Sequence, residues 1–318
     1  MSLFPARIQT STKTIRLPVP LVLLLALSAI ILAACSSREH TPGETTNSDA
    51  TARPTLYIAG IPDQDIAVLE KRFGLLAGYL SDETGLDVRY VPSIDYSAVV
   101  SAFRQGDIHM AWYGGLTGVQ ARLAATGAMA IAQRPEDQEF LSVFVARPGS
   151  GIETLIDLQG KTFTFGSESS TSGNLMPRFF LGQAGIVPED DFAAVTYSGS
   201  HDKTWKLVES GSVEAGALSA VVWRNRVEGG SVDTARVEVF YTTEPYYDYH
   251  WVIRGDLDRR FGTGTATKIQ EALLKLGPSS NGSSEILDAF NTTAFIETSN
   301  ENYEAIEDVA RQLGIIQN

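Results

Sequence analysis

From Pro54 onward, short apolar runs alternate with stretches whose apolar residues recur at helical spacing. That alternation restricts the chain to an α/β architecture. Thr55–Ile61 reads as a strand, and Ile66–Leu80 as a helix carried by Ile66, Leu69, Phe73, Leu76, Tyr79 and Leu80. Strands follow at Val88–Val91, Ile108–Trp112, Met129–Gln133 and Phe140–Ala146, with helices at Ser97–Arg104 and Gly118–Ala125. A second series starts near Pro148. It has strands at Thr162–Phe165, Val195–Tyr197, Val213–Leu218 and Val237–Tyr241, and helices at Leu175–Gly185, Lys203–Ser210 and Ala220–Val227. Tyr249–Arg254 reads as a strand returning to the first unit, and helices near 257–276, 284–290 and 301–313 close the chain. The pattern predicts parallel sheets covered by helices on both faces. It divides into two α/β lobes, 54–147 plus 249–318 and an inserted 148–248. Two crossings, near 146–150 and 242–249, would form a hinge with a ligand cleft between the lobes.

The segment before the first strand carries a separate message. Residues 1–16 hold Arg7, Lys13 and Arg16 and no acid; the apolar run Leu17–Ala34 follows and ends at Cys35. A basic start, an apolar core and small residues before a cut describe an export signal. The ending Leu32-Ala33-Ala34-Cys35 resembles a bacterial lipobox, which implies cleavage before Cys35 and its lipidation. An uncleaved membrane helix is the alternative, but 18 residues interrupted by two prolines are barely long enough to span. We therefore expect 1–34 to be a lipoprotein signal peptide and 35–53, which lacks an apolar period, to be a tether. Acyl chains on one residue hold a protein at a membrane without spanning it.

Composition removes several function classes. Among 318 residues the formal net charge is −13, which excludes a general nucleic-acid binder. Cys35 is the only cysteine, and no two of the four histidines (His40, His109, His201, His250) stand four apart. Disulfide frameworks and multi-cysteine clusters are excluded, and no His-rich metal site, other metal or cofactor is expected.

Five short segments could carry chemistry, each between a strand and a helix or at a crossing. Ser169-Ser170-Thr171-Ser172-Gly173 places hydroxyls and free backbone N–H groups at a helix start, an uncharged anion site. It can also be read as an ordinary capped helix. Ser198-Gly199-Ser200-His201-Asp202 places His201 in the first turn of a helix, or simply caps it. Pro245–Trp251 crowds aromatics at a crossing; Asp248 within it could accept a ligand proton or orient His201. Ala111–Gly115 and Asp95-Tyr96-Ser97 place aromatics beside turns, as cleft lining or as core.

Together these residues carry a resemblance. Asp95-Tyr96, the run Asp107–Gly114, the run Thr164–Gly173 with Ser170-Thr171-Ser172-Gly173, Gly199-Ser200-His201, Val213-Glu214 and Asp248 match the solute-binding proteins of bacterial phosphate/phosphite/phosphonate ABC importers. The run Trp112–Ala121 is similar to a subgroup labelled selenate-transport binding proteins. The resemblance implies a type II periplasmic binding protein fold, a small oxyanion ligand, a permease and its ATPase as partners, a monomer, and no cofactor. It implies that Tyr96, Tyr113, Ser170, Thr171, Ser172, His201 and Asp248 hold the ligand. Binders of aminoalkyl phosphonates also use a glutamate. That position falls near Ser219–Val221, which has no acid, so a compact oxyanion is expected: phosphite, phosphate, methylphosphonate, selenate or sulfate. A carboxylate at Asp248 should prefer a ligand carrying P–OH. Most polar contacts are expected from neutral dipoles, with Arg104, Arg178 and Lys203 contributing at longer range.

Other readings share this fold: a module feeding a signalling receptor, or a binder of a vitamin or amine. Ser172, His201 and Asp248 are also the residue types of a hydrolytic triad. No Gly-x-Ser-x-Gly elbow occurs, and the order Ser…His…Asp differs from the common arrangements. A binding protein, not an enzyme, is expected.

Overall fold

A computed structural model describes residues 54–277 and 284–317. The expected signal peptide, the tether and Cys35 lie outside the described residues. Among the described residues no helix is long and apolar enough to cross a membrane.

The chain runs β1 (Thr55–Gly60), α1 (Ile66–Thr84), β2 (Asp87–Tyr90), α2 (Tyr96–Gln105), β3 (Met110–Tyr113), α3 (Gly115–Ala124), β4 (Met129–Gln133) and β5 (Ser142–Ala146). It continues through β6 (Thr162–Phe165), α4 (Met176–Gln183), α5 (Pro188–Asp191), β7 (Ala194–Tyr197), α6 (His201–Ser210), β8 (Ala215–Ser219), α7 (Ala220–Glu228) and β9 (Glu238–Thr242). It ends with β10 (His250–Ile253), α8 (Leu257–Phe261), α9 (Thr265–Lys275), α10 (Ser284–Phe290), β11 (Ile296–Glu297) and α11 (Glu304–Gln312). The strands form two sheets, in the orders β11-β4-β10-β3-β1-β2 and β7-β6-β8-β5-β9.

Two expectations need correction. The sheets are mixed and not wholly parallel: β10 runs antiparallel to β3 and β4, and β5 antiparallel to β8 and β9. Insertion is the reason, because the chain enters the second sheet and returns to the first without the helical crossover that parallel neighbours need. The first crossing also lies earlier than 146–150. Ser142–Ala146 is a fully buried strand of the second sheet, so the chain changes lobes at Phe140–Leu141. Local sequence shows that Val143-Phe144-Val145 is a strand, but not which sheet pairs with it.

The two crossings touch. Phe140 and Tyr246 exchange backbone hydrogen bonds, 2.8 Å and 3.0 Å, outside either sheet. Ser142 Oγ donates to the Ser172 carbonyl at 2.8 Å and lies 2.6 Å from Tyr246 Oη. Since the carbonyl takes the Ser142 proton, the Tyr246 phenol is the donor to Ser142.

Packing follows the sequence periods. α1 buries Leu69, Phe73, Leu76 and Leu80 against the first sheet. Trp112, Trp251, Phe73 and Phe290 interlock there, with ring centroids 5.3–6.0 Å apart. Each such side chain contributes about 1.5–3 kcal/mol when fully buried. The second sheet has an apolar layer on each face, one around Phe144, Phe163 and Phe165, the other around Val145, Trp205 and Val208.

Candidate functional site

The site collects at the carboxyl ends of strands from both sheets, where open α/β sheets place their ligands. Behind β1 stands Asp63; behind β2, Tyr96 opens α2, whose N-cap Asp95 accepts the Ala98 N–H at 2.7 Å. Behind β6 lies a π-helical turn, Thr171–Leu175, capped by Ser170, which accepts the Gly173 N–H at 2.9 Å. Behind β7, Ser200 caps α6 and His201 is its first residue.

Five of the seven expected residues present polar groups to one another. Tyr96 is buried, and its Oη has no hydrogen-bond partner in the protein. Burial pushes this phenol well above its ordinary range, with Asp63 and Asp248 adding to the shift, so Tyr96 keeps its proton and is a donor. Thr171 Oγ1 accepts the Leu116 N–H of α3 at 3.0 Å, joining the lobes and leaving its own proton to donate elsewhere. Ser172 Oγ lies 3.5 Å from His201 Nε2.

The His201 tautomer follows from its partners. Nδ1 lies 3.3 Å from the Ser219 N–H, which can only donate, so the proton sits on Nε2. Burial lowers the imidazole's pKa further, so the ring is neutral. Nε2 lies 3.3 Å from Tyr249 Oη, and Tyr249 donates to Asp63 Oδ2 at 2.8 Å.

Asp248 is fully buried at the second crossing. Oδ1 accepts the Gly115 N–H at 2.8 Å, and Oδ2 has no partner in the protein. A Cβ on Gly114 would sit 3.0 Å from both Asp248 Oδ1 and Thr171 Oγ1, so glycine is what lets these groups converge. Burial pushes the Asp248 carboxyl up to about 7 against the pull of the Gly115 N–H, with Asp137 reinforcing the rise. The nearby Thr171 and Ser172 hydroxyls favour its charged form.

Two expected residues stand apart. Tyr113 Oη donates to the Val99 carbonyl at 3.2 Å, and its ring packs edge-on against Phe103. Its alternation along β3 turns it under α2, opposite Trp112, so its hydroxyl does not join the cluster. Ser170 is committed to capping, though its hydroxyl lies near the Tyr96 phenol.

The cations expected at longer range are also different ones. Arg178 is held by Asn174 and Glu189, and Arg104 and Lys203 are exposed. The guanidiniums that face the Asp63 side are Arg72, Arg134 and Arg226. Arg134 pairs with buried Asp137 at 2.6 Å, and Arg226 with buried Asp202 at 2.6 Å. With Asp63 and Asp248, these make four carboxylates against three guanidiniums.

Asp63, Asp202 and Tyr249 were not among the expected site residues. Asp63 had one available signal, its place three residues past a strand end. The contacts that bring Asp202 to Asp65, and Tyr249 to His201 and Asp63, each span more than 40 residues and leave no local trace.

The geometry argues against hydrolysis. A catalytic histidine needs Nδ1–H directed at its acid, but Nδ1 of His201 accepts from Ser219, and Asp248 is bound to Gly115 instead.

The family profile described as ABC transporter, phosphonate, periplasmic substrate-binding protein matches residues 58–303. This chain belongs to that family. A Prochlorococcus marinus (strain MIT 9301) protein named "Probable ABC transporter phosphite binding protein PhnD1" is 43% identical over 268 residues, covering 82% of this chain and 90% of its own length. The crystal structure of PhnD1 from that organism in complex with methylphosphonate superposes with a TM-score of 0.80 at 42% identity, covering 82% of this chain and 99% of PhnD1. A Pseudomonas aeruginosa phosphonate-transporter binding component, PA3383, shares the fold at 18% identity and a TM-score of 0.73, covering 81% and 85%. The protein is thus an exported substrate-binding component of a phosphonate-type ABC transporter, with a permease and ATPase as partners, and not an enzyme.

Proposed function

We propose that this protein captures a compact tetrahedral phosphorus oxyanion, phosphite or methylphosphonate, between its lobes and passes it to the permease while Cys35 anchors it by lipid. Tyr96, Thr171, Ser172 and His201 supply neutral donors, and Ser170 shapes the loop that carries two of them. Asp248 carries the reading: buried, with one oxygen free, it receives the proton of a P–OH group. A fully deprotonated ligand such as sulfate or selenate would require Asp248 to hold that proton itself. The names of the Prochlorococcus relative and of its methylphosphonate complex point to the same ligand class. The sequence has no acid at Ser219–Val221, the position that the family resemblance gives to the glutamate of aminoalkyl-phosphonate binders.

Calorimetric titration of the soluble fragment, residues 36–318, with phosphite, methylphosphonate, phosphate, sulfate and selenate tests this. Phosphite and methylphosphonate are expected to bind at least about tenfold more tightly than sulfate or selenate, the worth of one charge-assisted hydrogen bond. Selenate binding most tightly of the five would refute it.

A further inference from the structure

His250 opens β10, two residues past Asp248, and its buried ring is not part of the ligand cluster. Nδ1 lies 2.9 Å from the Asp248 carbonyl oxygen, which only accepts, so Nδ1 carries the proton. Nε2 lies 3.0 Å from Arg122 Nη1, which only donates. Both ring nitrogens are therefore satisfied by one tautomer, and Arg122 enforces it. The ring is clamped as well. It stacks on Tyr303 at 3.7 Å between centroids, and a Cβ on Gly118 would lie 2.3 Å from it. Arg122 itself lies over the Tyr303 ring at 5.2 Å.

The Asp248 backbone is fixed at its other end too. Its N–H donates to the Asp137 carbonyl at 3.0 Å, and Asp137 is held by Arg134. With Oδ1 on the Gly115 N–H, three contacts aim the one free oxygen. The contact to His250 is the only one of them made by a side-chain donor, and that side chain is itself oriented by a cation on another element.

We infer that His250 is a positioning residue for Asp248, held in its donating tautomer by Arg122, and that this pair sets the protein's discrimination between protonated and unprotonated oxyanions. The inference rests on the proposed role of Asp248. Misaiming the carboxylate weakens its acceptance of a P–OH proton and reduces its repulsion of sulfate, so the two affinities converge.

The test measures methylphosphonate and sulfate affinities by calorimetry in the fragment 36–318 and reads their ratio. Asp248→Asn serves as the control for the underlying reading. His250→Leu removes the donor, His250→Asn retains an N–H at the Nδ1 position, and Arg122→Met removes the bond to Nε2 and the cation over Tyr303 while leaving Nδ1 in place. We expect His250→Leu to narrow the ratio about tenfold, Arg122→Met to narrow it less, and His250→Asn to restore most of it. A folded His250→Leu that keeps the wild-type ratio, or a His250→Asn no better than His250→Leu, overturns the inference. Should His250→Leu not fold, an unchanged ratio in Arg122→Met overturns it instead. If Asp248→Asn leaves the ratio intact, the role of Asp248 fails first. If Asp248→Asn collapses the ratio and the His250 and Arg122 variants do not move it, only the positioning role fails.

Discussion

The backbone N–H of His201 donates to the carbonyl of Asp63 at 2.9 Å, and these residues belong to opposite lobes. The exchange is reciprocal, because the Asp65 N–H, at the N-cap of α1, donates to Asp202 Oδ2 at 2.9 Å. Each lobe thus satisfies a helix-start donor of the other. Burial alone would raise the Asp202 carboxyl, but the Arg226 guanidinium outweighs it and holds it below its ordinary value, charged for this contact. Asp202→Asn should weaken methylphosphonate binding about three- to tenfold, mainly through faster release, since the contact joins the two lobes around the site. Stopped-flow dissociation checks this; an unchanged release rate would show that the exchange does not hold the lobes together.

Asp248 predicts opposite effects on binding and on stability. Its folded-state carboxyl stands near 7, above the unfolded value of about 3.9, so the folded protein holds the proton more tightly than the unfolded chain. Its contribution to stability is therefore greatest below about pH 4 and declines as pH rises towards 7. Asp248→Asn should raise the ligand-free melting temperature at pH 8 by about 2–4 °C, with the gain vanishing near pH 4, while methylphosphonate binding weakens. Thermal melts across that range decide it.

The same titration separates the ligands. Sulfate brings no proton in the neutral range and depends on neutral Asp248, so its affinity should be flat in acid and fall as pH rises through about 7. Methylphosphonate can supply the proton itself and should pass through a maximum near neutrality. Calorimetry at several pH values would show the divergence, and parallel curves would contradict a shared proton.

Thr171 and His201 should behave differently on truncation. Thr171→Ala removes a hydroxyl whose contact, to the Leu116 N–H, runs between the lobes and not within one. It should therefore weaken binding with little change in the ligand-free melt. His201→Ala strands the buried Ser219 N–H, at a cost of about 1–3 kcal/mol, so it should lower both affinity and melting temperature. Melting both variants with and without phosphite distinguishes the two cases.

Gly118 tests the packing beneath His250. With a Cβ 2.3 Å from the imidazole, Gly118→Ala forces the ring or α3 to move and should cost about 1–3 kcal/mol. Denaturant unfolding would measure it; a neutral substitution would mean that the ring has room to shift.

The strand–helix alternation, the inserted second unit and the Ser170-Thr171-Ser172 loop were legible because they rest on local patterning: apolar period, capping residues and glycines near one another in the chain. The ligand class was legible only through residues matched along the whole chain. What sequence could not supply was partnership. Nothing local told that Ser142–Ala146 pairs with β8, that Tyr113 turns under α2, or that the cations facing Asp63 are Arg72, Arg134 and Arg226 instead of Arg104, Arg178 and Lys203. Nor did it show that His201 meets Tyr249 and Asp63, 48 and 138 positions away in the chain. Sequence by itself determined which residues could serve an oxyanion. The tertiary structure decided which of them are free to do so, because a buried polar atom is available to a ligand only when no other buried group has claimed it.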